Sequence, residues 1–141
     1  MTKSLNAALK DLLEVDEMKI VNILVLMIVL CTPVFGQETV DELNSKGVDL
    51  AEQGRYEEAV AVFDKAIEID PEYAYAWSNK GNVLSDMGKY DEAIRAYDRA
   101  IEINPQDAVA WNNKGLALSD MGKYDEAVAA YANAKDLEHN G

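Results

Sequence analysis

The chain has 141 residues, a length that suits one domain and a short additional segment. Its 13 basic and 26 acidic residues give a formal net charge of −13, which disfavours binding to nucleic acid. Cys31 is the only cysteine and His139 the only histidine. Composition therefore excludes an intramolecular disulfide, a thiolate zinc site and a multi-histidine site. We predict no metal and no cofactor.

The N-terminal part of the chain contains an uncharged apolar run. Residues 20–35 read IVNILVLMIVLCTPVF. This run is shorter than the roughly 20 residues that span a bilayer comfortably, and it fits the apolar region of a secretory signal better. We interpret residues 18–36 as a signal peptide cleaved before Gln37 or, alternatively, as an uncleaved membrane anchor. A buried core helix is disfavoured because the run is long and unpatterned.

Residues 1–17 do not fit a signal peptide, because acidic side chains outnumber basic ones among them. Met18 is then the functional start, or residues 1–17 are a dispensable leader. In either case the sequence predicts a protein that is secreted, otherwise extracytoplasmic or anchored in a membrane through residues 20–35.

The rest of the chain consists of three copies of one unit. The strings KGNVLSDMGKYDEA from Lys80 and KGLALSDMGKYDEA from Lys114 differ at two positions and lie 34 residues apart. A more divergent copy precedes them. The three units span residues 40–73, 74–107 and 108–141 and together form the predicted domain, residues 40–141.

Each unit carries two helical patterns. In the second unit, apolar spacing predicts helices over residues 74–87 and 91–103. Gly88 ends the first of these, and Pro105 ends the second because proline disfavours helix in the residue before it.

Small and large residues recur at equivalent positions of the units. A mid-helix glycine costs about 1 kcal/mol relative to alanine, so its recurrence at Gly47, Gly81 and Gly115 predicts a close approach of helices. We expect the aromatic side chains to fill the space between helices; they are Trp77, Trp111, Tyr90, Tyr124, Phe63, Tyr97 and Tyr131.

This pattern resembles the tetratricopeptide repeat (TPR) family over residues 40–141. The first unit departs from it with Leu43 in place of Trp, and the third with His139 in place of Pro. The matching signature positions are Gly47, Ala59, Pro71, Trp77, Gly81, Tyr90, Ala93, Pro105, Trp111, Gly115, Tyr124 and Ala127.

The resemblance implies an all-α fold. Six helices in three units would form a right-handed solenoid of antiparallel helix pairs, preceded here by the apolar N-terminal helix. The first helix of each pair would line a concave groove. Such repeats bind proteins or peptides and are not enzymes, so the resemblance implies no catalytic residue.

The resemblance also implies which residues face the groove. None of them is Lys or Arg, and the acidic ones favour a basic or extended peptide. The Lys/Asn/Arg clamp with which some family members hold a C-terminal carboxylate is missing, since only Asn79 matches it. The groove residues are Asp41, Asn44, Val48, Glu52, Tyr75, Ser78, Asn79, Asn82, Asp86, Val109, Asn112, Asn113, Leu116 and Asp120.

Two functions follow from these observations. The first is a non-catalytic scaffold that binds a protein or peptide in the groove. The alternative is a structural module that assembles end to end through its repeats. Lys135 stands where the second unit has Ile101, which makes the last helix more polar and favours a monomer, although self-association stays open.

Overall fold

A computed structural model describes residues 38–140 of the chain. Our interpretations of residues 1–17 and 18–36 concern residues outside this range. Within it, short turns join six helices: α1 (Val40–Glu52), α2 (Tyr56–Ile69), α3 (Ala74–Asp86), α4 (Tyr90–Ile103), α5 (Ala108–Asp120) and α6 (Tyr124–Asn140).

The helices form three consecutive pairs, one in each predicted repeat. Each helix packs against the next one in the chain, and α3 also contacts α1 and α5. The first helices of the pairs therefore form one continuous layer, and the predicted all-α architecture of stacked helix pairs is confirmed. No helix within residues 38–140 is both long and apolar enough to cross a bilayer.

The same turn ends the first helix of every repeat. Gly88 has a φ of +73°, and equivalent Gly54 and Gly122 have +74° and +76°. The Gly88 N–H donates to the carbonyl of Ser85, and the Lys89 N–H donates to that of Leu84, both at 2.8 Å. This is a Schellman motif, in which a left-handed residue satisfies the last carbonyls of a helix. Met87 is the C-cap of α3 and Lys89 the N-cap of α4, so α3 ends and α4 begins one residue earlier than predicted.

The mid-helix glycines allow the two helices of a pair to approach closely. A Cβ atom placed on Gly81 would lie 2.6 Å from the Cε1 atom of Tyr97, and one on Gly47 would lie 2.5 Å from Cε1 of Phe63. A Cβ atom placed on Gly115 would likewise lie 2.6 Å from the Cε1 atom of Tyr131. The predicted close approach is therefore confirmed, and the atoms that fill the space are those of an aromatic ring on the second helix.

Neighbouring repeats are joined by an alanine-rich core and by two ion pairs. Lys80 Nζ donates to Asp64 Oδ1 at 2.5 Å, and Lys114 Nζ lies 2.6 Å from Asp98 Oδ1. Each pair connects the second helix of one repeat to the first helix of the next. Lys80 and Lys114 have only 20% and 21% of their side chains exposed, so their stems pack against the interface.

The expectation that Tyr124 fills space in the core was wrong. Its side chain is 67% exposed, whereas the equivalent Tyr90 packs against a buried cluster that includes Leu84 and Tyr97. Tyr90 is covered because α5 packs on α4. No described helix packs on the corresponding side of α6, so Tyr124 remains in solvent.

Candidate functional site

The predicted groove residues all lie on α1, α3 and α5, the layer formed by the first helices. Most are at least partly exposed. Three large apolar side chains are prominent on this surface: Tyr75 is 65% exposed, Val109 is 63% exposed and Leu116 is 51% exposed. An apolar partner could cover these side chains, since each is more than half exposed.

Ser78 contributes little to this surface. It is only 7% exposed, although it occupies the same position in its repeat as Asn44 and Asn112. α3 has a neighbouring first helix on both sides, and a small serine can be covered between them. The solvent-exposed Asn112 lies on α5, for which residues 38–140 supply such a neighbour on one side only.

Asparagine side chains bridge successive repeats along the groove. Asn79 Nδ2 donates to Asn44 Oδ1 at 2.9 Å, and Asn113 Nδ2 donates to Asn82 Oδ1 at 2.9 Å. All four are half-buried. Each bridge uses one donor and one acceptor, which leaves amide groups for hydrogen bonds to the backbone of an extended peptide.

The Asn82 carbonyl oxygen also accepts a hydrogen bond from the buried Tyr97 hydroxyl at 2.8 Å. Burial raises the pKa of Tyr97, and the nearby Asp86 carboxylate raises it further. The hydroxyl therefore stays protonated at neutral pH and fixes the orientation of Asn82. The sequence pattern did not place Tyr97 at the groove. Repeat 1 has Phe63 at the equivalent position, and repeat 2 has Tyr97. The additional hydroxyl in repeat 2 is the sequence signal that could have indicated this contact.

A depression of about 240 Å³ lies in the groove at the junction of repeats 2 and 3. Asp86 and Ser85 from α3 and Leu116 from α5 line it, together with the asparagine bridge described above. Its chemistry combines one carboxylate, one apolar side chain and several amide and hydroxyl groups. Such a site suits a basic side chain with an aliphatic stem.

At the other end of the groove, Asp41 is bonded to Tyr73, the residue that precedes α3. Its Oδ1 atom accepts a hydrogen bond of 2.7 Å from the hydroxyl of Tyr73. This bond, helped by burial, raises the pKa of Tyr73 to about 12. The ring of Tyr73 also meets that of Tyr75 edge to face, with centroids 5.7 Å apart. Tyr73 thus holds two of the predicted groove residues, Asp41 and Tyr75, in place.

All charged side chains at the predicted groove positions are acidic. Asp41, Glu52, Asp86 and Asp120 are all exposed, and none of the predicted groove positions is a cation. In the described range, no group of three or more His, Cys, Asp or Glu side chains could hold a metal ion. The arrangement can attract cations and form hydrogen bonds with a peptide backbone.

Three family models match the chain. Two are described as Tetratricopeptide repeat and match residues 74–107 and 96–129; the third, TPR repeat, matches residues 47–88. The chain belongs to the tetratricopeptide repeat family. No curated protein sequence matches the chain.

Several solved TPR structures share the fold. The crystal structure of MamA is 30% identical over 72% of this chain, with a TM-score of 0.69, and the chain spans only 59% of MamA. The Sgt2 TPR domain from Aspergillus fumigatus is 29% identical over 72% of this chain and 68% of its own length, with a TM-score of 0.69. The first TPR of Spaghetti (RPAP3), bound to the HSP90 peptide SRMEEVD, is 25% identical over 73% of this chain and 82% of its own length, with a TM-score of 0.70.

Proposed function

We propose that this TPR protein is a non-catalytic scaffold that binds an extended, basic segment of a partner protein in its groove. The observation that carries the proposal is the combination of four exposed carboxylates, no groove cation and two asparagine bridges on one surface. Carboxylates favour basic side chains, and amides favour peptide backbone. The depression beside Asp86 accommodates one basic side chain.

Peptide binding by the first TPR of Spaghetti supports this kind of function, but not the same ligand. In the peptide of that structure, SRMEEVD, three of the last four residues are acidic. The groove of this chain carries carboxylates at Asp86 and Asp120 and has no lysine or arginine to receive such a peptide. Like charges across an interface cost several kcal/mol, roughly, so we expect an acidic tail to be rejected here.

Binding of end-blocked peptides to the full chain tests the proposal. We expect the pentapeptide Lys-Leu-Lys-Leu-Lys to bind with measurable affinity and Glu-Leu-Glu-Leu-Glu not to bind in the groove. The double variant Asp86→Asn/Asp120→Asn should weaken binding of the basic peptide at least fivefold. The matched control is Asp91→Asn/Asp125→Asn, which removes two exposed carboxylates outside the groove. Equal losses in both double variants would contradict a specific groove site.

The location of the scaffold is a separate part of the proposal. The apolar, uncharged residues 20–35 support export or membrane attachment. Intact mass and fractionation of the native protein test this. A released species beginning at Gln37 would indicate a cleaved signal, and a membrane-bound species that retains residues 18–36 would indicate an anchor. A full-length species in the cytoplasm would contradict both.

End-to-end assembly is a second candidate, favoured by one observation. Tyr124 and Val128 are 67% and 66% exposed on the last helix, at positions whose equivalents in repeats 1 and 2 pack in the core. The first helix, in contrast, presents polar residues such as Ser45 and Asp49 on its outer side. Assembly would therefore join two α6 faces. Light scattering over a concentration series tests it: a rising mass supports assembly, and a constant monomer mass contradicts it.

A further inference from the structure

A second pocket lies on the side of repeat 2 that faces away from the groove. It has a volume of about 320 Å³ and lies between α3 and α4. Trp77, Lys80 and Leu84 line it from α3. Because an α-helix has roughly 3.6 residues per turn, these positions point about opposite to the groove residues Asn82 and Asp86. The pocket is therefore independent of the proposed peptide groove.

The floor of this pocket is apolar and held in place. The indole N–H of Trp77 donates to the Pro71 carbonyl at 3.0 Å, which fixes the plane of the ring. Leu84 is 3% exposed and Ala96 is also 3% exposed, so both belong to the core beneath the pocket. A fixed indole face beside aliphatic carbon offers a surface on which an apolar side chain can pack.

The rim of the pocket is cationic in a chain that is otherwise strongly acidic. Arg95 and Arg99 lie one turn apart on α4, and both line the pocket. The Arg99 guanidinium lies 5.9 Å from the centroid of the Trp77 ring, and Lys80 Nζ lies 5.6 Å from it. Both distances are within the range of cation–π attraction. Because Lys80 is already paired with Asp64, the arginines are the cations of the rim that a ligand can use.

The two arginines are available to a ligand. Among the described residues, no hydrogen bond or ion pair engages Arg95. Arg99 pairs with Glu102, but both side chains are exposed, and exposed pairs of this kind are held weakly. A guanidinium binds a carboxylate through two parallel hydrogen bonds, so two of them on one rim form a receptor for carboxylates.

Repeat 3 has the same pocket without the arginines. Trp111, Lys114 and Leu118 line a pocket of about 210 Å³, and Lys114 Nζ lies 5.4 Å from the Trp111 centroid. Ala129 and Asn133 occupy the positions of the two arginines. The two pockets therefore share an apolar floor and differ in the charge of the rim.

We propose that the pocket at Trp77 binds an acidic segment of a partner protein. An apolar side chain of that segment lies against Trp77, and a neighbouring carboxylate is held by Arg95 and Arg99. Glu92 also lines the pocket, so a phosphate group with up to two charges is disfavoured there relative to a single carboxylate. The scaffold then carries two surfaces of opposite charge preference on opposite sides of repeat 2.

The two tryptophans of the chain provide the test, because each marks one pocket. The full chain is labelled with ¹⁵N, and the two indole N–H signals are followed by NMR while an end-blocked Asp-Glu-Phe-Glu-Asp peptide is added. A Trp111→Phe variant assigns the signals. We expect the Trp77 signal to shift saturably and the Trp111 signal to stay in place. Equal shifts of both signals, or no shift of Trp77, would overturn the proposal.

Paired variants sharpen the result. Arg95→Gln/Arg99→Gln should weaken the interaction at least fivefold, and Ala129→Arg/Asn133→Arg should make the Trp111 signal respond to the peptide. All four positions are exposed, so both double variants are expected to fold. An unchanged affinity in the glutamine variant contradicts the proposal. So does the same Trp77 shift with inorganic phosphate at equal concentration, which would indicate a general anion site. None of these outcomes depends on the groove, which is tested with basic peptides.

Discussion

Repeats 2 and 3 have nearly the same sequence and different surroundings. Repeat 2 lies between two other repeats, and repeat 3 has a described neighbour on one side only. Tyr90 and Ile94 of repeat 2 pack against buried clusters, whereas Tyr124 and Val128, at the same positions of repeat 3, are 67% and 66% exposed. The repeated sequence thus determines the helix pair, and the neighbouring repeat determines which of its side chains become core.

A few substitutions in repeat 3 accompany this difference. Asp98 of repeat 2 pairs with Lys114 of the next repeat, and the equivalent position in repeat 3 is Ala132. Ile101 is 8% exposed against repeat 3, and its equivalent is the exposed Lys135. Side chains of repeat 2 that contact the following repeat are thus replaced in repeat 3, for which the structure describes no following repeat.

The largest expected effect that tests this comparison is at the mid-helix glycines. Gly81→Val would drive side-chain atoms into the ring of Tyr97, which is 2% exposed and has no room to move. Overpacking of this kind costs about 1–3 kcal/mol, and we expect the upper end. In Gly115→Val the ring of Tyr131 is half-buried and can turn toward solvent, so the loss should be smaller. Urea unfolding followed by circular dichroism measures both. Equal losses would show that the outer repeat is as rigid as the inner one.

The next largest expected difference in stability is between truncation of the half-buried Tyr90 and truncation of the exposed Tyr124. Tyr90→Ala removes a half-buried ring and should lower the free energy of unfolding by roughly 2 kcal/mol, less than for a fully buried aromatic residue. Tyr124→Ala should change it by less than about 0.5 kcal/mol, as at other exposed sites. Thermal unfolding over a series of protein concentrations is the measurement. A large loss for Tyr124→Ala that grows with protein concentration would mean that the ring is buried between two copies.

The repeat pattern was sufficient to predict the helices and their pairing. Helix ends followed from Gly88 and Pro105, and the close approach followed from glycines at one repeated position. These features depend on residues within one unit, so a single unit contains the information. The exposure of Tyr124 depends on the next unit, and a motif shared by both repeats carries no signal for it.

The candidate site could be predicted only as a set of positions. The positions gave the acidic, cation-free surface, but not the burial of Ser78 or the hydrogen bond from Tyr97 to Asn82. Both depend on how side chains from different helices meet. The arginines at the Trp77 pocket also lay outside the prediction, because the family resemblance directs attention to the groove alone.

The third expected effect on stability is smaller than the first two and concerns the hydrogen bond between Tyr97 and Asn82. Asn82→Leu removes the acceptor of both the buried Tyr97 hydroxyl and the Asn113 amide, which costs about 1–2 kcal/mol. Adding Tyr97→Phe should recover the part of that loss that comes from the hydroxyl, because the pair then resembles Phe63 and Val48 of repeat 1. A double-mutant cycle of unfolding free energies measures the coupling. Purely additive effects would show that the hydroxyl is satisfied in another way.

The smallest expected effect concerns the ion pair between repeats 2 and 3. Asp98→Asn removes the charge that pairs with Lys114 at nearly unchanged helix propensity, and since 44% of the Asp98 side chain is exposed, we expect a loss of only about 0.5 kcal/mol. In repeat 3 no described lysine faces position 132, so Ala132→Asp and Ala132→Asn should be equally stable. The loss for Asp98→Asn should shrink in high salt, which screens the exposed pair. Chemical unfolding at low and high ionic strength measures this. A higher stability of Ala132→Asp than of Ala132→Asn would mean that a cation from another chain or segment reaches the outer face of α6, and the contrast between a covered repeat 2 and an uncovered repeat 3 would then no longer hold.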